Sequence, residues 1–266
     1  MTLLPPAVAR TAVPAQWATS HLDVFAKQWV TGMAGPDFGA YARIFHPLDD
    51  GPHAQRWADV ARAHGRTMHA SAQWHLINDV PEDERHGRGF PGDPYVGNLH
   101  AEALSALCNV LADHTATPEQ CWFAVWDGWG WQHSGAVSVL GSTTSDEPMP
   151  PLKMAPQAWQ LDMTGPSFAL PGRQYHLFGG PVDAATRIGH WVTAEWFDPQ
   201  SPTIFWPEDH AWCVATEVDA DTTLVGGNLD LITEIINSPL LEALPIARQA
   251  SQQDTINPDS APGPSM

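Results

Sequence analysis

The 266-residue chain is short of positive charge, with 12 Lys and Arg against 30 Asp and Glu and a formal net charge of −18. Affinity for a polyphosphate backbone comes from Lys and Arg displacing counterions, so nucleic acid is excluded as a partner. Cysteine is scarce: Cys108, Cys121 and Cys213 show no CxxC spacing, and each sits inside an apolar run. An odd, scattered set of this kind reads as buried thiols rather than a disulfide framework or a zinc site. No run approaches the roughly 18 consecutive apolar residues of a membrane span. At the N-terminus, Pro5, Pro6, Arg10 and Pro14 interrupt any apolar run of signal-peptide length. The expected location is therefore the cytoplasm.

Catalytic signatures are missing as well. There is no Gly-x-Ser-x-Gly nucleophile elbow and no Gly-x-x-x-x-Gly-Lys phosphate loop. His64, His69 and His75 stand five and six residues apart, whereas metal ligands on one helix face need gaps of three or four. On a strand, His69 and His75 would lie about 20 Å apart. Neither a metal nor any other cofactor is expected.

What is abundant is Trp, thirteen residues against three Tyr, in a chain that is 43% hydrophobic. Trp17, Leu22, Phe25 and Trp29 recur at helical spacing over 15–30, with Gly32 as a stop. A strand is expected over 41–45. A helix should follow over 52–65, opened by Pro52 and closed by Gly65 in the left-handed C′ position. Residues 79–97 are polar and turn-rich. A helix over 99–111 carries Leu99, Leu104, Leu107, Cys108 and Leu111 on one stripe, with Asn98 expected as its N-cap. Residues 121–126 (CWFAVW) are apolar on both parities, the pattern of a central strand covered on both faces.

Residues 132–171 show no sustained period and are expected to form a long loop. Beyond it the pattern predicts a strand over 173–178 and a helix over 181–191. Strands over 212–218 and 222–225 should form a hairpin around Asp219 and Asp221, and a helix over 229–237 should be capped by Asn228. The fold class expected is α+β, with a mixed or mainly antiparallel sheet packed with helices. One domain over 15–250 is expected, with an N-terminal extension (1–14) and a disordered tail (251–266).

Two Trp-acid segments stand out: Trp126-Asp127-Gly128-Trp129-Gly130-Trp131, and Trp206-Pro207-Glu208-Asp209-His210-Ala211-Trp212. Trp faces beside carboxylates suit sugar binding, and Asp127 with Glu208 or Asp209 could act as a general acid/base pair on a glycoside. The blander reading makes Trp122 and Trp126 core and Asp127 a turn residue that accepts backbone hydrogen bonds. Acidity is concentrated late: from Ile188 onward there are twelve Asp and Glu and one basic residue, Arg248. A negative field beside Trp suits capture of a basic protein, because such fields speed encounter and Trp supplies contact energy.

The segments Tyr41–Pro47, Cys121–Gly130 and Trp206–Glu217, with Gly226-Gly227, resemble a group of uncharacterised actinobacterial proteins of similar size. In its acidic, Trp-rich α+β character the chain is also similar to the SUKH-type immunity proteins of bacterial toxin systems. The resemblance implies no catalytic residues.

The expectation is thus a non-enzymatic, immunity-like domain that binds a basic protein partner such as a toxin. Trp126, Trp129, Trp131, Trp206, Asp219 and Asp221 are its candidate binding residues. The rival expectation is a carbohydrate-active hydrolase using Asp127, Glu208 or Asp209. A third is a small-molecule sensor with a Trp-lined pocket gated by 132–171.

Overall fold

The computed structural model describes residues 6–48, 55–78, 92–133 and 160–250. The chain begins with β1 (Ala7–Val8), α1 (Ala15–His21), α2 (Trp29–Ala34) and β2 (Ala40–Phe45). Next come α3 (Trp57–Ala63), α4 (Trp74–Ile77), α5 (Ala101–Asp113), β3 (Cys121–Trp126) and the single turn α6 (Gly130–His133). Strands β4 (Ser167–Leu170) and β5 (Arg173–Gly180) lead through a 3-10 segment (Val182–Arg187) to β6 (Gly189–Trp191) and β7 (Phe197–Pro199). The remainder is β8 (Ile204–Pro207), β9 (Cys213–Ala215), β10 (Thr222–Gly227), α7 (Leu229–Asn237) and β11 (Ala243–Pro245).

Among the described residues, nine strands form one sheet in the order β1-β5-β3-β8-β9-β10-β2-β11, with β4 also paired to β5; β6 and β7 form a separate ribbon. Every pairing in the sheet is antiparallel. This is a single α+β domain. Its outermost strands are short: β1 has two residues, β4 four, and β11 three, ending in Pro245.

The apolar double parity of β3 has a direct cause. Cys121, Phe123 and Val125 join Phe178, Phe205, Val214 and Val225 under α5 and α7. Ala124 joins Tyr175, Leu177, Ile204, Trp206 and Leu224 under α1 and α2. An antiparallel sheet usually keeps one wet face and alternates, but this one is covered on both. A third cluster, with Phe45, Trp57, Val60, Trp74 and Ile77, packs α3 and α4 beside the end of β2.

One charge is inside. Arg43 on β2 is 4% exposed, and burial pushes its guanidinium down to about 10. It donates to Ala70 O (2.9 Å), Ala72 O (3.0 Å) and Thr222 Oγ1 (3.1 Å). It also lies over the rings of Phe45 (5.0 Å) and Trp29 (5.7 Å). Carbonyls and π-faces replace the water it loses.

Several expectations need correction. The helix expected over 15–30 is two helices. Asp23 Oδ1 accepts the Phe25 amide (3.1 Å), and Asp23 N donates to Gly32 O (2.9 Å), so local side-chain and loop bonds outcompete the helical ladder. Gly32 allows the close approach, since a Cβ there would sit 2.4 Å from Asp23 O. Asn98 is not the cap of α5, which starts at Ala101 with His100 in that position. Its side chain instead donates to Pro199 O (3.0 Å) and accepts from Ser201 N (2.7 Å).

The helix expected over 181–191 is a 3-10 segment followed by a strand. Strand β4 occupies the end of the expected 132–171 loop, whose residues 134–159 lie outside the described residues. Residues 79–91 of the expected 79–97 loop and the tail 251–266 also lie outside them. Within the expected extension 1–14, Ala7–Val8 add a strand to β5. Strand β8 was not expected at all. The hairpin β9–β10 is present, but it is joined through 216–221 rather than by a tight turn.

Candidate functional site at the ends of the sheet

The strand register defines two ends. Trp126 pairs with Tyr175, while the β8 start, the 216–221 connection and Thr222 lie along the same end. Cys121 pairs with Pro207 at the opposite end, which also holds Gly226, Gly227 and the start of β2.

The first end gathers much of the expected binding set. Trp126 and Trp129 meet edge to face, with centroids 5.5 Å apart. Arg173 lies over the rings of Trp126 (5.4 Å) and Phe25 (5.3 Å), and bonds Glu217 (2.8 Å) and Asp219 (3.2 Å). Asp127 Oδ1 sits 2.7 Å from His176 Nε2. Asp221 belongs to the same connection, and its carbonyl accepts the His46 amide (3.1 Å). Trp131 stacks on His190 at 5.5 Å and 5°. The indole nitrogens of Trp129 and Trp131 and Nδ1 of His176 are buried without a hydrogen-bond partner among the described residues. These residues form a packed cluster in which Trp126 and Trp129 are half-buried.

Trp206 is not part of it. The ring is fully buried and packs against Trp17 and Phe168, so it offers no face to a partner.

Glu208 and Asp209 lie at the second end. Asp127 and Glu208 flank opposite ends of six-residue β3, about 20 Å apart by the strand rise. Paired-carboxylate glycoside chemistry spans at most ~9.5 Å, so Asp127 does not pair with Glu208 or Asp209. Asp209 instead ties the 115–116 turn to the 209–211 turn, accepting from Thr115 Oγ1 (2.7 Å), Ala116 N (2.7 Å) and Ala211 N (3.2 Å). Partial burial raises its carboxyl, but these hydrogen bonds outweigh that and hold it below the ordinary range. Glu208 accepts the indole N–H of Trp122.

The second end carries a feature that spacing in the sequence did not signal. A cleft of about 430 Å3 is lined by Trp17, Pro36, Asp37, Phe38, His210 and Leu229, with Gly35 and Gly227 among its other residues. Trp17 stacks on His21 (5.4 Å, 20°) and on His210 (5.0 Å, 15°). His210 holds a left-handed φ of 53°, uncommon for a residue with a side chain. Its imidazole is pushed below the ordinary histidine range by burial, against the pull of Glu208 and Asp209. Tyr41 Oη donates to Gly35 O (2.6 Å) and Arg248 to Pro36 O (2.7 Å), fixing the 35–39 loop.

At this end of the sheet stand Asp37, Asp113, Glu119, Glu208, Asp209, Asp230 and Glu234, all exposed, with Asp37 in the cleft lining itself. The residue capping the C-terminus of α5, His114, meets Glu234 in the middle of α7 (2.8 Å). Among the described residues, no Lys or Arg pairs with any of these seven carboxylates; their ion partners are His21 for Asp37 and His114 for Glu234. Leu229, 68% exposed, lines the cleft next to Asp230 in the chain.

Among the described residues, no three His, Cys, Asp or Glu gather as they would around a metal ion. No helix there is long and apolar enough to cross a membrane. No protein-family model matches the chain, and no curated protein or solved structure matches it either.

Proposed function

We propose that this chain is a binding module that captures a basic protein on the acidic end of its sheet. The observation that carries this reading is the set of seven exposed carboxylates, unpaired with Lys or Arg among the described residues, at the same end of the sheet as a cleft and an exposed leucine. Such a field steers a cationic partner and raises its encounter rate, while apolar groups inside an acidic rim supply contact energy.

The test is retention of host proteins on the immobilised full chain, eluted by a salt gradient. Retained proteins should be basic and leave as salt rises, because exposed charges are screened within ~10 Å at 0.1 M. The triple variant Asp113→Lys, Glu119→Lys, Glu234→Lys, checked by circular dichroism for an unchanged fold, should release them. Retention that ignores both salt and the reversed charges would sink the reading.

A further inference from the structure

We infer that the cleft beside Trp17 is an anchor pocket for an arginine side chain of the basic partner, an assignment that rests on the function proposed above. The rings of Trp17 and Phe38 border one point of the cleft, since a Cβ on Gly35 would lie 3.7 Å from the first and 3.0 Å from the second. Asp37, adjacent to Phe38 in the chain, puts a carboxylate with 79% of its side chain exposed at the same mouth. Leu229 and Pro36 complete apolar walls along which a methylene stem can lie. A volume of about 430 Å3 falls in the range of ~300–1,000 Å3 that holds small ligands.

The protein already handles its own guanidinium this way. Arg173 lies over two rings, Phe25 and Trp126, and bonds the carboxylate of Glu217. The cleft is bordered by the same three parts, two half-buried rings and a carboxylate, with Trp17 also stacked on His21 and His210. A planar guanidinium exploits ring faces and a carboxylate together, which a compact ammonium does less well.

Four nearby groups oppose a cation, two of them imidazoles: His21, 3.7 Å from the Asp37 carboxylate, and His210 in the cleft lining. The N-terminus of α7 points its dipole at Asn228 and Leu229, but its own cap occupies one amide (Asn228 Oδ1 from Leu231 N, 2.8 Å), and Asp230 stands in the first turn. Arg248 is engaged with the Pro36 carbonyl. Against them stand four carboxylates, Asp37, Asp230, Glu208 and Asp209, three of which have no ion partner among the described residues.

The probe is N-acetyl-arginine amide, titrated into the full chain and followed by amide chemical shifts, with N-acetyl-citrulline amide and N-acetyl-lysine amide as controls. Saturable shifts should be confined to residues 35–39, 210–211 and 227–229, with a Kd on the order of a millimolar. Citrulline should give no saturation, lysine a weaker response, and Asp37→Asn should weaken arginine binding roughly tenfold. Phe38→Ala should also weaken it, so the result does not hang on one variant. No saturable shift, an equal response to citrulline or lysine, or indifference to Asp37→Asn overturns the assignment. Because Asp113, Glu119 and Glu234 lie outside the cleft lining, the two ideas fail separately. Loss of arginine binding leaves the charge-reversal test standing, and an unaffected charge-reversal variant leaves arginine binding standing.

Discussion

The guanidinium of Arg173 lies 5.4 Å from the ring centroid of Trp126 and 5.3 Å from that of Phe25. With Glu217 at 2.8 Å, it clamps the segment between α1 and α2 to the start of β5. Arg173→Met should leave Glu217, only 13% exposed, without its cation. The expected cost is about 2–3 kcal/mol in urea unfolding. Arg173→Lys should recover only part of this, because an ammonium forms neither the two-nitrogen contact nor the stack.

His46 makes the fold sensitive to acid. It is fully buried, with Nδ1 2.6 Å from Tyr95 O and Nε2 2.9 Å from Thr223 Oγ1. Burial, helped by Arg43, pushes the imidazole down to about 4. Between pH 6.5 and about 4 the unfolded chain takes up a proton that the folded chain refuses. The stability tied to His46 is therefore fully present above pH 6.5 and is lost as pH falls through this window. The loss amounts to about 3 kcal/mol. Unfolding free energies measured from pH 7 to 4 should show that slope, and His46→Gln should remove it.

Two glycines with similar backbone angles should respond differently to alanine. At Gly97 (φ +70°) a Cβ would meet Val218 O at 2.4 Å and the Trp129 ring at 2.8 Å, whereas at Gly65 (φ +66°) nothing lies within 4 Å. Gly65→Ala should cost about 1 kcal/mol, the left-handed penalty alone. Gly97→Ala adds a backbone clash and should cost about 3 kcal/mol or more. Equal melting temperatures for the two variants would contradict this account.

Asn228 caps α7 through Leu231 N at 2.8 Å. Asn228→Ala should lower stability by about 1 kcal/mol, while Asn228→Asp should hold it within a few tenths. Thermal unfolding of the pair checks both.

Elements that announce themselves locally were legible in the sequence: the unbroken apolar run of β3, the alternation of β2, and the Asn228 cap with its amphipathic helix. Strand β8 was hidden because Pro207, Glu208 and Asp209 follow Trp206 and read as loop; Pro207 is tolerated because it is the last residue of the strand. Helix 15–30 failed at Asp23, whose side chain bonds locally in a way that periodicity does not register. For the site, the late acidity pointed to Glu208, Asp209, Asp230 and Glu234. Asp37, Asp113 and Glu119 join them only through sheet order. Trp17, Asp37 and His210 are far apart in the chain, so no spacing rule could have placed them around one cleft.

The brevity of β1, β4 and β11, with Pro245 lacking an amide proton to donate, has a consequence for self-association. A long bare margin would offer a template on which another chain could lay down a strand, the first step toward fibrils or open-ended polymers. Among the described residues each margin gives out after two to four residues, too few to seed such growth. At high concentration these flanks should stay inert, and a partner must recognise side chains at the sheet's ends rather than borrow its backbone.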